Sequence, residues 1–161
     1  MALLDWAVVA ALALSVLVGM VRGLVFELMS LAGWVLAFFV AQWFADPVAA
    51  WLPVGAPEAT WRYALAFVLV FVAVAFAAGL LTALVRRLVV AAGLRPVDRT
   101  LGALFGFARG AIVLLTVAVA VHLFSLSGAA WWRESLSAGV LNAALQGVKP
   151  ALPEKLAGFL P

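Results

Sequence analysis

From residue 63 to residue 85 the chain carries no charged side chain. That run exceeds the ~20 apolar residues a helix needs to cross the ~30 Å hydrocarbon layer of a bilayer. Three more runs approach that length: 6–21 between Asp5 and Arg22, 28–45 between Glu27 and Asp46, and 110–132 after Arg109, with His122 its one ionisable group. The helix of the last run is expected to begin near Thr100 or Leu101, which places Arg109 inside it. With 68% apolar and 11% charged residues in a chain of 161, there is too little polar surface to clothe a soluble domain. A mean hydropathy of +1.24 also excludes a disordered chain. Backbone groups in lipid must be satisfied internally, so the fold class is all-α: an integral membrane helical bundle of about four transmembrane helices.

One helix over residues 6–45 would be roughly 60 Å long, twice the hydrocarbon core. A reversal is therefore expected at Arg22 and Gly23, giving either a tight hairpin or a tilted, re-entrant pair that does not fully cross. Asp5 and the lack of any Lys or Arg before Arg22 are unlike a cleaved signal peptide. Arg86, Arg87, Arg95 and Arg99 cluster between the third and fourth runs, and Arg22 lies in the first turn. Cytoplasmic connections are the Lys/Arg-rich ones, so both hairpin turns are expected inside and both termini outside. Trp43, Trp51 and Trp61 around Asp46, Pro47, Pro53 and Pro57 fit a short irregular loop at the outer face.

A transmembrane domain is expected over 1–128 and a different tail over 129–161. Within 131–148, Trp132, Leu136, Leu141, Leu145 and Val148 fall near one helical face, and Arg133, Ser137, Asn142 and Gln146 largely elsewhere. That pattern fits an amphipathic helix lying in the membrane interface, or a tail that packs back on the bundle. Pro150 and Pro153 would end it, with a last short helix over 154–160.

Chemistry has little to work with. There is no cysteine and only one histidine, so no metal site or cofactor is expected and catalytic machinery is lacking. The net charge of +3 is spread without a basic face, so nucleic acid is not an expected partner; the lipid bilayer is. Charges inside apolar runs are costly, which singles out Arg22, Glu27 and Arg109 as an intramembrane polar cluster on the cytoplasmic side. A Glu27–Arg109 or Glu27–Arg22 pair would offset that cost, unless the arginines snorkel to the headgroups and the glutamate faces water. Asp5 and His122 form an expected outer-side pair, more simply a structural hydrogen bond or plain interfacial exposure than a proton relay. Gly102, Gly106 and Gly110 recur every four residues, the spacing at which membrane helices approach closely; Ala75, Gly79 and Ala83 do the same in the third run. The echo between Gly19-Met-Val-Arg22-Gly23 and Gly106-Phe-Ala-Arg109-Gly110 is short enough to arise by chance.

The segment 93–110, of the form G-L-x3-D-R-x-L-G-x3-G-x2-R-G, resembles the signature of the colicin V production protein (CvpA) family. Leu4-Asp5-Trp6 and Arg22-Gly23-x3-Glu27 resemble that family's start, and the likeness weakens after about Trp132. The resemblance implies a bacterial inner-membrane protein of about four helices, required for colicin V production or export and tied to envelope homeostasis. It also implies an outside C-terminus, because related domains are fused to extracytoplasmic proteases. It brings no catalytic residue or ligand; Gly23, Asp98, Arg99, Gly102, Gly106 and Gly110, with Arg22, Glu27 and Arg109, match it by position. Asp98 is expected to cap the fourth helix, and Arg99 to meet headgroups or the cytoplasmic surface. The expected role is a non-enzymatic accessory factor working through helix packing with further copies or a membrane-protein partner. The alternative is a subunit of an oligomeric channel or transporter.

Overall fold

The computed structural model describes residues 2–53 and 60–148. Among them the structure is helical, in the order α1 (Leu3–Arg22), α2 (Leu24–Trp51), α3 (Thr60–Ala91), α4 (Arg95–Leu123), a 3-10 turn at Leu126–Gly128, α5 (Ala130–Arg133) and α6 (Leu136–Val148). The first four are each long and apolar enough to cross a membrane. The expected positions of Pro57, Pro150, Pro153 and the helix over 154–160 lie outside the described residues.

The chain divides into two compact units, one of residues 1–21 with 101–161 and one of residues 22–100. In the second, α2 and α3 pack through small residues. Gly33, Ala37, Ala41 and Ala45 recur every four positions along α2 and are all buried, and a Cβ at Gly33 would press on the Ala78 Cβ at 2.9 Å. Phe38 meets Phe67, and Trp34 meets Phe71, edge to face at 5.8 and 5.6 Å, each worth about 0.5–1.5 kcal/mol beyond burial. Of the expected Ala75, Gly79, Ala83 stripe, Ala75 and Gly79 line a small cavity against Met29, Ser30 and Gly33 of α2, and a Cβ at Gly79 would meet nothing within 4 Å. The face of α3 that packs carries Ala66, Ala78 and Thr82, the last bonding back to the Ala78 carbonyl at 2.7 Å.

Three helix ends differ from expectation. α2 continues through Pro47 to Trp51, so Asp46 and Pro47 belong to a helix, not to a loop. A proline lacks the N–H that would reach the carbonyl four residues back, and one missing bond near a helix end is tolerated. Arg62 completes that end: buried at the start of α3, it donates through Nη2 to the carbonyls of Ala50, at 3.2 Å, and Leu52. A cation is favoured there by the helix dipole. α4 begins at Arg95, before Thr100, and stops at Leu123, well short of Trp132. Its start follows a Schellman turn, in which Leu94 N–H bonds Val89 O at 3.1 Å and Gly93 N–H bonds Val90 O at 3.0 Å. Gly93 takes φ +73° there, a conformation favoured by glycine at this position. The helix ends as Ser125 turns to φ 56°.

In the first unit α1 and α4 run antiparallel, since Gly19 lies on Gly102 while Leu12 lies at Gly110. The C-terminal segment packs back onto them: Trp132, Ala138 and Leu145 are buried with Ala118 and Val121 of α4, and Leu4 of α1 borders the cluster. Of the expected apolar face, Trp132 and Leu145 are buried and Leu141 borders the cluster, whereas Leu136 is 70% exposed.

Candidate functional site

The α1–α4 crossing is built from residues too small to keep backbones apart. A Cβ at Gly19 would collide with the carbonyl of Gly102, and one at Gly106 with the carbonyl of Ser15. These contacts are reciprocal, 19 on 102 and 106 on 15, so the segments 15–19 and 102–106 cross around a local pseudo-two-fold. Gly110 completes the face beside Leu12 and the Ser15 side chain. Ser15 is the fastener. Its Oγ donates to Gly106 O at 2.7 Å and accepts from Arg109 Nε at 3.3 Å, and its carbonyl accepts from Arg109 Nη2 at 3.4 Å. Arg109, midway along α4, thus grips the backbone and side chain of α1.

At the start of α2 the chain needs a residue without a side chain. Gly23 stands alone between α1 and α2 at φ +85°, and a Cβ there would run into the Asp98 carboxylate. Asp98 does not cap its own helix as expected. It lies inside the first turn of α4, and its Oδ1 accepts from Val25 N at 2.8 Å. The first N–H groups of a helix have no internal partner and carry its positive dipole end, so this remote carboxylate satisfies α2. Glu27 adds a second acid to the same turn, buried, 3.7 Å from Arg22 Nη1. Arg22 is half exposed, so that pair by itself contributes little. Arg99 is exposed in α4.

The same device recurs at α6. Ser135 Oγ accepts from Ala138 N at 3.3 Å as an N-cap. Asp5 Oδ1 accepts from Ser135 Oγ at 2.6 Å and from Ser137 N at 2.8 Å, across 130 and 132 residues. His122 and Asn142 share a bond of 2.8 Å, with the imidazole edge-on to Trp132. Asp5 and His122, expected to face each other, are each given a partner from the C-terminal segment. The structure places Arg22 beside Glu27, bonds Arg109 to Ser15, and ties Asp5 and His122 to the C-terminal segment. Ser15, Ser135 and Asn142 have roles the sequence reading missed. Ser15 had a signal: it is the one hydroxyl between Asp5 and Arg22, four residues before Gly19.

A protein-family model described as "Colicin V production protein" matches residues 4–146. The chain belongs to the colicin V production protein family. It is 33% identical over 135 residues to the colicin V production protein homolog of Haemophilus influenzae, covering 83% of this chain and 82% of the relative. It is 34% identical over 125 residues to the colicin V production protein of Escherichia coli, covering 78% and 75%. No solved structure matches it. The match to the colicin V production protein family continues past Trp132 through most of α6, so the segment that Asp5 and His122 hold belongs to the family region. Within this member of the family, the signature residues are a set of fasteners: Gly93 turns the chain into α4, Asp98 caps α2, and Gly102, Gly106 and Gly110 bring α4 onto α1.

Proposed function

We propose that this chain is a multi-pass protein of a bacterial inner membrane, with both termini periplasmic. In this reading it supports toxin production and export, and envelope homeostasis, as a non-enzymatic accessory factor that docks through its helices on a partner or on further copies of itself. The observation that carries this reading is the use made of the polar groups inside the helices. Ser15 and Arg109 lock α1 to α4, Asp98 caps α2, and Asp5 caps α6. Each spends its hydrogen-bonding capacity on holding helices in place, which suits a scaffold. The names of the two relatives supply toxin production, and the family resemblance adds export and envelope homeostasis. The glycine face, being occupied by α1, leaves docking to other surfaces, such as the exposed aromatic flank with Trp34, Phe38 and Phe39.

The test is complementation. In a colicin V-producing bacterium lacking its own family member, this chain restores secreted toxin, read as inhibition of a sensitive lawn, and Ser15→Ala restores it less well. A folded, membrane-located chain that leaves secretion at the deletion level would defeat the reading. Ion flux through liposomes that disappears with Arg109→Gln would replace it with the channel alternative.

A further inference from the structure

The end of the α2–α3 unit that carries Gly23 also carries a cleft of about 590 Å³. Arg86 and Arg87 from the last turns of α3 and Arg95 from the start of α4 line it, over Phe26 and Val90. No carboxylate is among its lining residues. The guanidinium groups of Arg22 and Arg86 lie over the Phe26 ring at 5.4 and 5.9 Å, which fixes the floor of the cleft. Gathering like charges is costly in itself, and a bound anion removes the cost. Planar guanidinium groups match the oxygens of a phosphate two at a time.

The surroundings specify what carries the phosphate. Ala83 and Arg87 lie on one face of α3 with Leu80 and Phe76, one and two turns back toward the middle of the helix. Leu80 is 55% and Phe76 68% exposed. An open cationic cleft thus continues directly into an exposed apolar strip on a membrane-crossing helix. We propose that this cleft binds an anionic phospholipid, with the headgroup phosphate held by Arg87 and Arg95 beside Arg86 and an acyl chain along Leu80 and Phe76. Basic pockets at the ends of membrane helices hold such headgroups by the same charge and geometry. The site depends on the bilayer alone, not on the role in toxin production.

Native mass spectrometry of the full chain in mild detergent tests it. Phosphatidylglycerol, phosphatidylcholine with the same acyl chains, and inorganic phosphate are offered separately and then in competition. Phosphatidylglycerol adducts dominate, and phosphate at equal concentration does not displace them. Each arginine near an anionic surface contributes about fivefold, so Arg87→Gln with Arg95→Gln lowers phosphatidylglycerol affinity roughly 25-fold. Arg133→Gln, exposed on α5, leaves it unchanged. Equal binding of the two lipids overturns the site, as does an equal loss with Arg133→Gln. Displacement by phosphate alone assigns the cleft to the free ion and also overturns the lipid proposal. Should the double variant fail to fold, the competition on the unaltered chain decides by itself.

Discussion

A methyl group at position 23 has to displace the Asp98 carboxylate, and it also meets a backbone at φ +85° that glycine alone adopts freely. Gly23→Ala is therefore expected to cost roughly 1–3 kcal/mol from the backbone and about 1 kcal/mol more from the lost cap on Val25. Asp98→Ala alone is expected to cost about 1 kcal/mol. The two are coupled, because removing the carboxylate also removes the collision. A double-mutant cycle read by thermal unfolding in detergent should show the pair costing about 1 kcal/mol less than the sum of the singles. Strict additivity would mean that Asp98 does not reach α2. At the same scale, Ser15→Ala should lower stability by about 0.6–1.7 kcal/mol, the range of interhelical hydrogen bonds in membranes. A loss at or below experimental error would show that Ser15 does not fasten the crossing.

Among elements, glycines that look alike in sequence separate by what they face. Gly106 abuts the Ser15 backbone, while Gly79 opens on nothing within 4 Å. Gly106→Leu should abolish a monodisperse detergent particle, whereas Gly79→Leu should leave size and melting temperature unchanged, both read by gel filtration and thermal scanning. Equal tolerance of both changes would remove the α1–α4 crossing as the organising contact. The four apolar runs, the break at Gly23 and the four-residue glycine repeat of α4 were legible from sequence, because each is a local pattern of charge or size. The caps on α2 and α6 were not. Asp98 meets Val25 over 73 residues and Asp5 meets Ser137 over 132, and no local periodicity records a contact between separate helices. The inward polar groups of the C-terminal segment were not legible for the same reason. Ser135, Ser137 and Asn142 turn inward because Asp5 and His122 await them, so the polar side of that segment is no guide to its wet side.

For the molecule as a whole, the antiparallel α1–α4 pair has a consequence for the membrane. Leu3 opens α1 and Phe124 follows the end of α4, so whichever side of the bilayer holds one must hold the other. In the topology proposed above that side is the periplasm, since the positive-inside rule assigns the connection between α3 and α4, crowded by Arg86, Arg87, Arg95 and Arg99, to the cytoplasm. The chain has no cysteine, so single cysteines introduced for Leu3, Leu84, Arg87 and Phe124 each report one place. A membrane-impermeant maleimide on intact spheroplasts should label the variants at 3 and 124, and label the one at 87 only after the membrane is opened. Leu84, 57% exposed on α3 and buried in lipid in this arrangement, should stay unreactive to the polar reagent in both states. Labelling of 3 and 124 from opposite sides would break the antiparallel pairing itself. Labelling of 87 from outside, with 3 and 124 protected, would leave the pairing intact and invert the protein in the membrane. The two outcomes thus separate an error in the fold from an error in the charge rule, and only the second would move the arginine cleft out of the cytoplasmic leaflet.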